Sequence, residues 1–268
     1  MTANLNGIRS AASKGFFPWF LTQEIDVLCV QETKAQQHQL SEQILAVPGY
    51  VSLFEDAEKR GYSGVALYAR IAPDRVHRGI GLADLDAEGR YLQADWGNLS
   101  IASFYAPSGT SGAERQAQKE RYMERLTTMF GEMLADQRQY ILCGDMNIAH
   151  TTRDIKNWRS NQNTPGFLPH ERAWLDHVFD DIGICDAFRA VDQRDEQYTW
   201  WSMRANARAN NVGWRIDYHF VTPNLRASVR EAIITPQPFF SDHAPLIITY
   251  DLDLPTHQPH YPPLGLTS

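Results

Sequence analysis

The residues best suited to chemistry stand at the ends of apolar runs. Tyr140-Ile141-Leu142-Cys143-Gly144-Asp145-Met146-Asn147 reads as a buried strand that delivers a carboxylate and a carboxamide to its exposed end. Two such groups side by side can hold and activate a water, although Asp and Asn also form local turns at strand ends. Val27-Leu28-Cys29-Val30-Gln31-Glu32-Thr33-Lys34 repeats the pattern and ends in Glu32. Phe240-Ser241-Asp242-His243-Ala244-Pro245-Leu246 sets an acceptor beside a switchable donor, and a protonated imidazole can neutralise charge developing on a phosphorane. In Trp214-Arg215-Ile216-Asp217-Tyr218 the acid sits among alternating apolar residues, from where it can orient the His243 ring and hold its proton. Asn4-Leu5-Asn6-Gly7-Ile8-Arg9 reads as a short β run with two amides on one face and an arginine behind them. The chain has no Cys-x-x-Cys and no His-Glu-x-x-His. Oxygen donors around Glu32 therefore suit a hard cation, magnesium or manganese, better than zinc.

Such groups need elements to bring them together. β-rich runs recur at 25–31, 64–70, 91–96, 99–105, 140–143, 216–221 and 245–250. Helical patterns lie between them, the clearest over 114–135 with Tyr122, Leu126, Met129, Phe130, Met133 and Leu134 along one stripe, and a second over 171–182. Gly97-Asn98 joins two β runs by a tight turn with no helix between. That pattern points to mixed or antiparallel sheets and away from a doubly wound parallel one.

At 268 residues, with 43% hydrophobic and 21% charged content, the chain is expected to fold as a globular protein. No apolar run approaches the roughly 20 residues of a membrane helix, and the start carries no leader pattern, so a cytoplasmic protein with no membrane partner is expected. Cys29, Cys143 and Cys185 are expected to be reduced thiols. A net charge of −7 excludes a protein that coats nucleic acid through bulk positive charge. It leaves room for a metal site with a local basic rim. No linker or repeat divides the chain, so residues 1–254 are expected to form one domain, and 255–268 a loose tail.

The ordered set Asn4-x-Asn6-Gly7-x-Arg9, Gln31-Glu32-Thr33-Lys34, Tyr105-x-Pro107, Gly144-Asp145-x-Asn147, Trp214-Arg215-Ile216-Asp217 and Ser241-Asp242-His243 strongly resembles the exonuclease III class of apurinic/apyrimidinic endonucleases. These belong to the wider endonuclease/exonuclease/phosphatase superfamily, and the likeness runs from Asn4 to Tyr250. It implies an α/β four-layer sandwich, two mixed β-sheets face to face with helices outside, as in deoxyribonuclease-like folds. It also implies a magnesium-dependent phosphodiesterase of base excision repair, a monomer acting on double-stranded DNA at abasic sites and 3′ ends. Glu32 would hold the metal, with Asn4, Asn6 and Asp242 in its shell or at a second metal position. Asp145 would take the proton of the attacking water or orient it, and Asn147 would fix that water and the phosphate. Tyr105 would contact the phosphate or leaving group, and His243, held by Asp217, a non-bridging oxygen.

Trp200, Trp214 and Ile216 match the positions that shape a pocket for a flipped-out abasic sugar. Trp200 is bulky for that role, which leaves the balance between abasic-site cleavage and 3′ trimming open. Arg9, Lys34, Arg153, Lys156, Asn161, Arg204 and Arg208 lie in or just after the motif loops and would contact the DNA backbone. Two features depart from the pattern: only Met1-Thr2-Ala3 precede the first motif, and the segment Ser108-Gly109-Thr110-Ser111-Gly112 lacks an arginine found there in some relatives. Segments 89–95 and 165–169 also resemble the catabolite repression control proteins of pseudomonads, regulatory binding proteins on the same fold. Those relatives lack key metal and nucleophile-orienting groups, whereas Glu32, Asp145, Asn147 and Asp242 are all present here, which favours an enzyme.

Overall fold

The computed structural model describes residues 1–254, and the expected tail over 255–268 lies outside the described residues. Its strands are β1 (Thr2–Asn4), β2 (Val27–Gln31), β3 (Val51–Glu55), β4 (Val65–Ala69), β5 (Arg75–Arg78), β6 (Tyr91–Trp96), β7 (Leu99–Tyr105), β8 (Gln139–Asp145), β9 (Cys185–Asp186), β10 (Trp200–Trp201), β11 (Gly213–Trp214), β12 (Asp217–Val221), β13 (Val229–Ile234) and β14 (Leu246–Tyr250). One six-stranded sheet runs β13-β14-β1-β2-β4-β3 and a second runs β5-β6-β7-β8-β12-β9. Each contains one parallel pair, β1 with β2 and β7 with β8, so both are mixed.

Both faces of each central strand are buried, which is why β2 and β8 read as unbroken apolar runs. Val27 and Cys29 meet Ile141 and Cys143 in the layer between the sheets. Leu28 and Val30 point the other way, onto Ile8, Phe16, Phe17 and Phe20 of the helices Ile8–Ser13 and Phe16–Phe20. Tyr140 and Leu142 turn outward onto Tyr122, Leu126 and Phe130 of the long helix Ala113–Ala135. The result is the expected four-layer α/β sandwich, helices outside two facing sheets. The cysteines are free thiols, Cys29 and Cys143 being buried.

Strand direction then determines where the polar ends go. Asn4 closes β1, and Glu32 follows the parallel β2 immediately. Tyr105 and Asp145 are register partners closing the parallel pair β7 and β8, and Asp217 opens the antiparallel β12 opposite Asp145. His243 lies just before β14, which runs antiparallel to β1. All of these meet at one rim of the sandwich. Gly144 permits it: a Cβ there would come within 1.9 Å of the Phe104 carbonyl oxygen, so any side chain would push β8 off β7 just before Asp145.

The 4–9 segment is not the single β run expected. The strand stops at Asn4, Asn6 and Gly7 take φ values of 45 and 111, and Arg9 falls in the helix Ile8–Ser13. Backbone pairing to the segment leaving β2 nonetheless continues, the N–H groups of Leu5, Gly7 and Ile8 donating to the carbonyls of Gln31, Glu32 and Thr33 at 3.0, 2.8 and 3.0 Å. The 171–182 pattern forms an α-helix Pro169–Asp176 that widens into a π turn over His177–Ile182.

Candidate active site

At the centre of the rim Asp145 is buried, with 1% of its surface exposed. Its Oδ1 accepts from the backbone N–H of Asn147 at 2.8 Å, and its Oδ2 accepts from Asn4 Nδ2 at 3.0 Å. The same Asn4 nitrogen donates to Glu32 Oε1 at 2.8 Å, so one carboxamide ties together carboxylates from both sheets. As oriented, Asn4 turns its nitrogen to the acids and its oxygen to the backbone N–H of Asn6, 3.0 Å away. Glu32 also carries the Lys34 ammonium at 2.6 Å, and the Tyr105 side chain lies beside it. Asn147 is anchored by its Nδ2, which donates to Ala106 O at 2.9 Å.

His243 completes the centre. Its Nδ1 lies 2.9 Å from Asp217 Oδ2, and its Nε2 faces Asp145 Oδ2 at 3.8 Å. Burial alone would lower this imidazole, but Asp217 in contact, then Asp145 and Asp242, outweigh it and raise it to about 10. Burial is also the largest influence on Asp145, and with Asp217 and Glu32 close by it pushes the carboxyl up to about 8 against the opposing pull of His243. Asp242 stands beside this group, its Oδ1 accepting from Asn6 Nδ2 at 2.9 Å and its Oδ2 from Trp200 Nε1 at 3.0 Å. Glu32, Asn6, Lys34 and Asn147 have φ values of 53, 45, 48 and 56, in the left-handed region that L side chains avoid. Backbone held this way at one rim marks a site whose surroundings over-determine it.

Donor atoms of Glu32, Asp145 and His243 lie within 4.8 Å of one another; the two carboxylates are close enough to face one cation, with the protonated His243 beside them. Carboxylates also crowd there: burial first, and then Asp217 and Glu32, raise Asp145. A divalent ion would offset that crowding. The donor set therefore fits a hard metal ion, with Asn6 and Asp242 beside it and the Asn4 nitrogen bridging the two acids.

Residues 1–243 match the endonuclease/exonuclease/phosphatase family. The chain belongs to that family. An exodeoxyribonuclease of Bacillus subtilis is 37% identical over 91% of this chain and 95% of its own length. The DNA repair nuclease APEX1 of Danio rerio is 31% identical, covering 91% of this chain and 79% of its own. Among solved structures, an AP endonuclease from Archaeoglobus fulgidus superposes with a TM-score of 0.85 at 26% identity, over 94% of this chain and 98% of the other.

In this member of the endonuclease/exonuclease/phosphatase family, Trp200, Trp214 and Ile216 do converge. They cluster with Phe167, Ile155, Ala149 and Trp158 beside the carboxylates, the Trp200 and Trp214 rings meeting edge-on at 6.1 Å. The predicted cations differ among themselves. Arg9 and Arg204 are exposed, Arg153 pairs with Asp195 at 3.1 Å, and Lys156 pairs with Glu196. Asn161 caps its own turn, donating to Asn157 O at 2.8 Å. Arg208 is a structural clamp: it lies against the Trp201 and Phe239 rings and donates to the carbonyls of Ser241 and Pro236. Both terminal nitrogens are thus engaged in holding this segment of the fold.

Several residues support the site in ways that the sequence reading did not assign. Buried Gln31 accepts from Thr2 Oγ1 at 3.0 Å and donates across the sheets to Ser103 Oγ at 2.9 Å, forming a polar floor under the site. Lys119, fully buried, donates to Asn147 O at 2.9 Å and to Glu171 Oε1 at 2.6 Å. Arg215 pairs with Asp154 and Asp186, each at 2.7 Å, and fixes the segment bearing Ile216 and Asp217. The available signal was a charged residue on an apolar face, as Lys119 is three positions before Tyr122 on the stripe of its helix.

Proposed function

We propose that the chain is a magnesium-dependent DNA phosphodiesterase of base excision repair that cleaves 5′ to abasic sites and trims 3′ ends of duplex DNA. One observation carries the reading: Glu32, Asp145 and His243 converge within 4.8 Å at a rim where Asp217 holds His243 from behind. The sequence and fold likeness to an exodeoxyribonuclease and an AP endonuclease supports DNA as substrate.

In this mechanism a water attacks phosphorus in line with the 3′ oxygen. Asp145, oriented by Asn4 and the Asn147 backbone, takes or directs the water's proton, and Asn147 steadies the water and phosphate. His243 Nε2, kept protonated by Asp217, donates to a non-bridging oxygen as charge builds there. The new O–P bond forms as the P–O3′ bond breaks, leaving a 3′-hydroxyl and a 5′-phosphate. Tyr105 reaches the phosphate or leaving group from the end of β7. A divalent metal would be held by Glu32, with Asp145 and Asp242 near, and would supply Lewis-acid charge neutralisation. The Trp200–Trp214–Ile216 pocket would receive the abasic sugar by shape.

The test is a labelled duplex with one abasic analogue, incubated with and without magnesium, for wild type and Asp145→Ala. Incision 5′ to the lesion is expected only in wild type with metal. Intact wild-type strands would favour a binding protein of the same fold.

A further inference from the structure

Arg90 is buried, with 3% of its surface exposed, yet among the described residues only one acid answers its charge. Its Nε donates to Glu88 Oε2 at 2.6 Å, and Glu88 is shared with Arg115, 2.8 Å from its other oxygen. A buried guanidinium with half a counter-ion is a poor choice for packing alone, since apolar groups of that size hold a core more simply. Its remaining contacts converge on Tyr105. The guanidinium carbon lies 4.6 Å from the centroid of the Tyr105 ring, and Nη1 donates to Tyr105 O at 3.0 Å. The Tyr105 N–H donates back to Arg90 O at 2.9 Å. Nη2 donates to Tyr62 OH at 3.1 Å, which holds the far edge of the plane. Gly89 sets the depth of the segment: with φ +60, a Cβ there would meet Glu55 O at 2.6 Å.

We propose that Arg90 is the positioning residue for Tyr105, holding its ring so that the hydroxyl enters the site at Glu32. A phenol is stiff only if something covers its face, because rotation about its side-chain bonds is otherwise broad. Arg90 supplies that cover as a plane anchored at three points. Lysine cannot, being a point charge on a flexible stem. The inference rests on the role given to Tyr105 in the proposed hydrolysis.

The experiment compares Arg90→Lys, Tyr62→Phe and Tyr105→Phe, and each of the first two combined with the third, by kcat, KM and melting temperature on the abasic duplex. Arg90→Lys is expected to lower kcat about tenfold with KM changed less than about twofold, the signature of lost orientation. Tyr62→Phe, which removes one anchor from the partly exposed edge, is expected to lower kcat about threefold and decides the matter if Arg90→Lys does not fold. Both effects should vanish in the Tyr105→Phe background. Equal losses in that background, or a change in KM alone, would overturn the proposal. If Tyr105→Phe by itself leaves kcat intact, the assigned role of Tyr105 fails first, and this inference with it.

Discussion

Asp145 and His243 are both displaced upward, and the displacement has consequences for stability as well as for chemistry. The Asp145 carboxyl titrates at about 8 in the folded chain and at about 4 when unfolded. Between those values the folded state holds a proton that the unfolded state has released, so stability falls as pH rises across the window. His243, raised to about 10, contributes stability that is full below its unfolded value of about 6.5 and is lost as pH rises through its folded value. Both terms have the same sign. Without divalent ions, the melting temperature of the wild type should therefore fall between about pH 6 and pH 9. Asp145→Asn should abolish cleavage and yet melt higher in chelator, by a margin that widens with pH. Calorimetry at both ends of that range checks it, and a margin that narrows with rising pH would refute the assignment. The same crowding that destabilises the metal-free site prepares it for a cation.

At the level of elements, the loop leaving β8 depends on the long helix Ala113–Ala135. Lys119 and Glu171 are both fully buried. Glu171 Oε2 also accepts from the backbone of Gly166 at 2.7 Å and Leu168 at 3.0 Å. One ion pair thus joins the Asn147 turn, the segment bearing Phe167 and the helix Pro169–Asp176. Lys119→Met would strand the Glu171 charge, at a loss of about 3–5 kcal/mol. Lys119→Met with Glu171→Gln should recover part of this, measured by urea unfolding, and an additive double variant would argue against the pair. This pair was invisible in the sequence because its partners lie 52 positions apart. The Gln31–Ser103 bridge, 72 positions apart, escaped for the same reason. Glu32 and Asp145 were legible because each stands at the end of a strand buried on both faces, where a charged residue breaks an apolar run. β6 and β7 were read at their observed limits for that reason. β3, β5 and β13 were missed: β3, β5 and β13 are outermost in their sheets, and exposed positions dilute their apolar pattern. The Asn4 to Arg9 turn was misread since its reversal rests on left-handed backbone at Asn6, which side-chain periodicity does not report.

On the scale of the whole molecule, the proposed function requires a chain of net charge −7 to hold a polyanion. It can do so only through a local rim, and that rim is already partly neutralised. Lys34, Arg153 and Lys156 each hold an acid of their own, Glu32, Asp195 and Glu196. A phosphate arriving there competes with a carboxylate, so these cations contribute less to affinity than free ones would. Each phosphate neutralised by a free cation contributes about 0.9 to the slope of log affinity against log salt. Arg9 and Arg204 are exposed; replacing either with Ala should reduce that slope by about 1 and weaken binding to all duplexes alike. Asp195→Asn and Glu196→Gln should act oppositely, tightening duplex binding at low salt and steepening the slope by freeing Arg153 and Lys156. Fluorescence anisotropy titrations across a salt series, with Ca²⁺ in place of Mg²⁺ to suppress cleavage, distinguish the two classes. Unchanged affinity in both acid variants would mean that the duplex does not cross this side of the rim, and the path of the DNA would then have to run by Arg9 and Arg204 alone.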